Sequence, residues 1–286
     1  MGTSRAARTH GAATGKMANA FDLTGRVAVV TGGYGVLGSV ITGGLAAAGA
    51  RVAVLGRRRE PAEARAAELR ALGGDARALV ADVMDEAQLR TARDELVADW
   101  ERIDILVNAA GGNVARSRND GRPIFDVPLD ATEEVLHLNL HGSVIPSMIL
   151  GETMARQGKG SIINISSMSA TQALSGTMGY SLAKAGIDAF TRWLAVDLAR
   201  RYGDGIRVNA IAPGFFLSEQ NRGVLVNPDG SPTPRAQTIV GKTPMGRFGR
   251  PEELIGAVQW LCSDSASFVT GVIIPIDGGF SAFTGV

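Results

Sequence analysis

From Arg26 onward the chain alternates between two kinds of text, and that alternation limits the fold more than any other feature. Short β-branched runs bounded by glycine or aspartate recur as RVAVVTG, RVAVLG, ARALVADV, IDILVNAAG, GSIINISS, IRVNAIAPG and GVIIPIDGG. They are apolar throughout rather than at every second residue, the pattern of parallel strands buried on both faces. Between them lie Ala-, Leu-, Glu- and Arg-rich stretches with helical spacing: Leu37–Ala48, Glu60–Leu72, Glu86–Trp100, Ala131–Arg156, Thr177–Arg201 and Pro251–Ser263. Such a series predicts an α/β fold, a doubly wound sheet of seven parallel strands with helices on both faces.

The 286 residues suit one large domain or two small ones, at roughly 150 residues each. Composition changes once, between Phe215 and Gly249, where Pro, Gly and polar residues replace the strand signal. A long excursion inside a compact domain is more often functional than filler. We read residues 21–286 as one domain with a substrate lid at about 215–249, hinged at Gly214, Gly223 and Gly249. Residues 1–20 lack apolar periodicity and read as a flexible tail. The single Cys262 excludes an internal disulfide and a Cys-built metal site, so a reducing cytoplasm is expected. His10, His137 and His141 are too scattered for a zinc motif, and no metal is expected; His137 and His141 read as packed between helices. With 29 Lys and Arg against 28 Asp and Glu, a nucleic-acid or anionic-lipid partner is not expected. No apolar run approaches the ~20 residues of a membrane span.

Glycine is abundant, with 37 residues, and three of them carry a motif. The first strand ends in Thr31-Gly32-Gly33-Tyr34-Gly35-Val36-Leu37-Gly38 and runs into a helix. Gly33, Gly35 and Gly38 fit G-x-G-x-x-G in the strand-to-helix context of a Rossmann dinucleotide site. There the backbone approaches a pyrophosphate and the helix N-terminus meets its charge. The second strand ends in Leu55-Gly56-Arg57-Arg58-Arg59 rather than in an acid. Guanidinium forks suit a 2′-phosphate, so NADP is preferred over NAD. Asp82, closing the third strand, is placed to accept from the adenine amine.

Tyr180 and Lys184 stand at helical i, i+4 spacing, and Ser167 closes the fifth strand. Strand carboxyl ends are where ligands sit in such sheets, so the three converge on one crevice. At these residues the chain resembles the short-chain dehydrogenase/reductase family, across residues 21–286. The likeness is carried by Thr31–Gly38, Asp82, Asn108-Ala109-Ala110-Gly111, Asn139, Ser167, Tyr180, Lys184, Pro213-Gly214 and Asp277-Gly278-Gly279. It implies that Tyr180 is the general acid/base, that Ser167 steadies the substrate oxygen, and that Asn139 anchors a proton-relay water. Lys184 would bind the nicotinamide ribose and lower the Tyr180 pKa. The implied cofactor contacts are Gly32, Tyr34, Gly35, Val36, Leu37, Gly38, Arg57, Arg58, Asp82, Val83, Asn108, Ala109, Gly111, Tyr180, Lys184, Pro213, Gly214 and Ser218. One departure stands in the loop: the family's middle glycine would fall at Val36, and Gly35 lies beside it.

Further stretches look like the sugar-acid branch of the family, the D-mannonate oxidoreductases or fructuronate reductases. These are Gly111-Gly112-Asn113, the run Ala212–Arg222, Thr243–Gly249 and the C-terminal Asp277–Val286. A polyol carboxylate needs many hydrogen-bond donors and a cation. Asn113, Ser167, Glu219, Gln220, Asn221 and Arg222 would supply them, with Arg222 meeting the carboxylate and Arg116, Arg118 or Arg235 as alternatives. Reduction of another carbonyl, a 3-oxoacyl thioester or a ketose/polyol, stays open, as does a regulator that binds dinucleotide without turnover. The resemblance also implies a homo-oligomer, a tetramer. The Thr177–Arg201 helix is apolar over a wide arc (Leu182, Ala183, Ile187, Phe190, Trp193, Leu194, Leu198), as an interface would require.

Overall fold

The computed structural model describes residues 20–285 apart from 120, 122, 218–221 and 224. In it the β-branched runs form β1 (Val27–Thr31), β2 (Arg51–Gly56), β3 (Ala76–Val80), β4 (Ile105–Asn108), β5 (Gly160–Ile165), β6 (Ile206–Pro213) and β7 (Ile273–Ile276). They pair in parallel in the order β3-β2-β1-β4-β5-β6-β7, in one sheet of seven strands. The order reverses between β1 and β4, and the crevice beyond their carboxyl ends is where such a sheet binds ligands.

Period-two geometry sends alternate residues of each strand to opposite faces. Ala28 and Val30 of β1 and Val52 and Val54 of β2 pack under α1 (Val36–Ala47), α2 (Arg59–Ala71) and α8 (Ile255–Cys262). Val27, Val29, Ala53 and Leu55 face α3 (Glu86–Trp100), α5 (Gly142–Gln157) and α6 (Met178–Tyr202). Both faces of the central strands are therefore dry, which is why they are apolar without alternation, while the edge strand β7 is only partly buried. No helix among the described residues is long and apolar enough to cross a membrane.

Three elements differ from the sequence expectation. The helix expected over Ala131–Arg156 is broken: α4 (Leu129–Leu136) passes through a π-helical turn, His137–His141, into α5. Such turns are commonly found at functional sites, and this one carries Asn139. It also leaves His137 and His141 exposed, their rings 4.7 Å apart, rather than packed between helices. Between Phe215 and Gly249 the chain forms a helix, α7 (Pro234–Lys242). Its start is written in the sequence: the Thr233 hydroxyl accepts from Ala236 N at 3.2 Å, and Pro234 needs no donor there. Finally, Gly214 and Gly249 are held rather than loose. Gly214 N donates to the Ile276 carbonyl and Gly249 N to the Phe215 carbonyl, each at 2.9 Å. The expected tail lies outside the described residues except for Ala20, whose carbonyl accepts from the Ser265 hydroxyl.

Candidate active site

The glycine loop turns because backbone lies against backbone. Gly32 has φ +61°, and a Cβ on Gly38 would fall 2.1 Å from the Gly32 carbonyl oxygen. Gly35 is the residue before α1, and Val36 is its first helical position, where a side chain is tolerated. The displaced glycine therefore does not disturb the turn. No side chain caps α1 and no acid lies in its first turn, so the amides at that end are left for an anion. A pyrophosphate fits this cradle.

At the adenosine end, Arg58 N donates to the Tyr34 hydroxyl at 3.3 Å, and the Arg58 guanidinium lies 5.4 Å over the Tyr34 ring. Arg57 extends into solvent with its guanidinium 3.8 Å from Asp82. The other Asp82 oxygen accepts from Met84 N at 3.0 Å, and Val83 is buried in the core. The loop after β4 is tied to the glycine loop by Thr31, whose hydroxyl accepts from Ala109 N and Ala110 N, both at 3.1 Å.

Four polar groups converge beside it. Asn139 is fully buried; its amide donates to the Gly112 and Val135 carbonyls (2.7 and 3.0 Å) and its oxygen accepts from Gly112 N. A Cβ on Gly111 would lie 2.7 Å from Asn139 Oδ1 and 3.8 Å from Lys184 Nζ, so these three meet. Lys184 Nζ donates to the Ile165 carbonyl at 2.7 Å and lies 5.3 Å over the Tyr180 ring. The Ser167 hydroxyl accepts from Ser169 N and lies close enough to the Tyr180 phenol to act on its proton affinity.

Burial sets the electrostatics. It draws the Lys184 ammonium down to about 8, against the attraction of Asp188. It pushes the Tyr180 phenol up, and the Ser167 hydroxyl opposes this. In the chain alone burial is the largest influence on both groups, because the packing that joins them also strips water from both.

The substrate residues are placed less completely. Asn113 is exposed, and its oxygen accepts from Val114 N and the Ser117 hydroxyl. Arg222 is exposed, and Arg116 donates to Asp130. Ser218, Glu219, Gln220 and Asn221 lie outside the described residues. A cleft of about 590 Å³ opens between the Gln172–Ser175 loop, α7 and the C-terminal segment; Arg235 and Lys242 line it with Gln172, Ser175 and Thr238.

Sequence reasoning missed the buried polar chain behind the site. Asn108 donates to Asn164 and Ser147, Asn164 donates to Thr191, and Ser143 donates to the Asn139 carbonyl. Apart from Asn108 and Asn139, its members sit in runs that read as plain strand or helix. The one available signal was polar residues at positions where the apolar pattern demands burial.

Residues 35–281 match the family described as enoyl-(acyl carrier protein) reductase, more than half of the chain. The chain belongs to the short-chain dehydrogenase/reductase family. Like its relatives it is an NAD(P)-dependent oxidoreductase. The uncharacterized oxidoreductase UxuB of Bacillus subtilis is 42% identical over 275 residues, covering 93% of this chain and 98% of that protein. A solved Haemophilus influenzae structure with bound NAD, provisionally a D-mannonate oxidoreductase, superposes with TM-score 0.87 at 40% identity over 93% of this chain and 98% of that one. A gluconate 5-dehydrogenase from Burkholderia cenocepacia, in complex with NADP and tartrate, gives TM-score 0.83 at 33% identity over 93% and 99%.

Proposed function

We propose that this reductase interconverts a keto sugar acid and its hydroxy acid, of the D-fructuronate/D-mannonate type, with NADP preferred over NAD. The carrying observation is the cleft beside the Ser167–Tyr180 loop, where two cations, Arg235 and Lys242, stand among Leu174, Phe215, Ile239, Phe280 and Phe283 with no acid among its described lining. The two cations supply charge-assisted partners for a carboxylate, which the acyl chain of a thioester would leave unused. The names of the two structural relatives above point the same way.

In this reading Tyr180 gives a proton to the substrate oxygen or takes one from it, while Ser167 holds that oxygen. Lys184 holds the nicotinamide ribose, and Asn139 fixes the Gly112 turn and anchors a water. The bound nicotinamide supplies or accepts the hydride. Asn113, Glu219, Gln220 and Asn221 meet the hydroxyls, Arg222 meets the carboxylate, and the segment 215–249 covers the substrate as a lid. Arg57 and Arg58 read the 2′-phosphate; Arg58 is already steadied on Tyr34. The cytoplasm suits a chain whose Cys262 is buried and unpaired.

A homotetramer is supported by the exposed apolar side chains Met148, Leu182, Trp193 and Val196 along α5 and α6. Light scattering that returns a monomer at micromolar concentration rejects it. For the reaction, sugar acids, neutral polyols and 3-oxoacyl thioesters are offered with NADPH, NADH and their oxidised forms, and nicotinamide absorbance is followed. Turnover of a sugar acid with NADP(H) supports the reading; turnover confined to 3-oxoacyl thioesters replaces it.

A further inference from the structure

The helix that carries Tyr180 and Lys184 buries one more charged group. Asp188 follows Lys184 by one turn of α6, so both side chains lie on one face, 5% and 4% exposed. Each is fastened to the same short piece of chain. Lys184 Nζ donates to the Ile165 carbonyl at 2.7 Å, and the Ser166 hydroxyl donates to Asp188 Oδ1. Ser166 N donates to the Ile211 carbonyl of β6 at 2.8 Å, which locks Ser166 into the sheet. The next residue is Ser167.

We propose that Asp188 is a positioning residue with two separable tasks: through Ser166 it pins the strand end presenting Ser167 to the helix presenting Tyr180, and by its charge it keeps Lys184 an ammonium. This rests on the roles given above to Ser167, Tyr180 and Lys184. A buried ammonium without a counter-charge tends to lose its proton, and Asp188 is the charge that opposes this at Lys184. Asp188 is itself raised by burial, against the Ser166 hydrogen bond and the charges of Arg192 and Lys184. Among the described residues, the titratable and charged groups facing the pair are Tyr180, whose ring lies 5.3 Å from Lys184 Nζ, and Arg192, both on α6. The end of β5 and the residue after it bring neutral partners, the Ile165 carbonyl and the Ser166 hydroxyl. A fastening alone would be served equally well by an amide in place of the carboxylate. The charge is what the amide lacks.

Two variants separate the tasks. Asp188→Asn keeps an acceptor for Ser166 and removes the charge. Lys184 should then lose its proton at lower pH, moving the basic limb of kcat/KM for carbonyl reduction to lower pH. The expected loss is about tenfold near pH ~8, shrinking as pH falls. NADPH binding, read by fluorescence without substrate, should weaken over the same range. Asp188→Glu, which retains charge, should restore the profile. Ser166→Ala keeps the charge and removes the fastening: kcat should fall at every pH, with the limb unmoved. An Asp188→Asn profile that overlays the parent, or a Glu variant that behaves like the Asn one, overturns the charge role. Unchanged kcat in Ser166→Ala overturns the fastening. Tyr180→Phe, measured alongside, tests the underlying roles: if it is inactive while the Asp188 and Ser166 variants match the parent, this inference alone fails.

Discussion

The glycine loop and the segment from Phe215 to Gly249 both bend the chain around glycine, yet they are held in opposite ways. In the loop, Gly38 has no room for a methyl group because the Gly32 carbonyl occupies that space. The strands and helices around it belong to cores buried on both faces of the sheet. The later segment has a small core of its own, with Leu225, Ala236 and Ile239 buried and Phe215, Leu217, Val226 and Phe248 packed against them. Its Gly223, Gly230 and Gly241 face open space. Binding a nucleotide common to many enzymes favours a backbone fixed in advance, whereas admitting and covering one substrate favours a part with little burial to break.

Substitutions can break this contrast. Gly38→Ala should weaken NADPH binding the most, roughly ten- to a hundredfold, because backbone must move to admit the methyl. A fluorescence titration close to that of the parent would mean that the loop is softer than its contacts suggest. In the Phe215–Gly249 segment, Arg222→Ala should reduce kcat/KM for a sugar acid by roughly ten- to a hundredfold, since a charge-assisted pair contributes about 1.5–3 kcal/mol. A neutral polyol is the control and should barely respond. Equal losses on both substrates would make Arg222 a folding residue of the segment and move the carboxylate to Arg235 or Lys242. Arg57→Ala should raise the KM for NADPH by about tenfold and leave that for NADH nearly unchanged, the lower end of that range because Arg57 is exposed. Better use of NADH by the parent protein would refute the strand-end argument. The smallest effect is expected at Gly241→Ala in α7, where a methyl meets nothing within 4 Å. It should stabilise by about 0.5–1 kcal/mol, read as a slightly raised Tm with unchanged nucleotide affinity.

The same contrast explains what the sequence could tell. Strand runs such as RVAVVTG and the glycine loop impose requirements on every residue in a short window, and each appears where it was expected. Tyr180 and Lys184 were legible because one helical turn fixes their relation whatever surrounds them. The clasp between Ser166 and Asp188 was not, since nothing local joins a strand-end hydroxyl to a helix carboxylate many residues later. The break at His137–His141 escaped because a π-helical turn preserves the apolar spacing on either side of it. For α7 the signals existed in Thr233 and Pro234, but a Pro- and Gly-rich neighbourhood hid them. The pKa directions depend on burial, which periodicity reports only as a pattern and not as the amount of water removed.

Tyr180→Phe is the most direct measurement of whether this site transfers a proton as described. The substitution removes the phenol hydroxyl and keeps the ring beneath Lys184, so NADPH affinity by fluorescence titration should stay near that of the parent. With a saturating keto sugar acid, kcat should fall by roughly a thousandfold, within the range that a positioned general acid contributes. Turnover within about tenfold of the parent, with the nucleotide bound equally well, would mean that another group supplies the proton and would contradict the account.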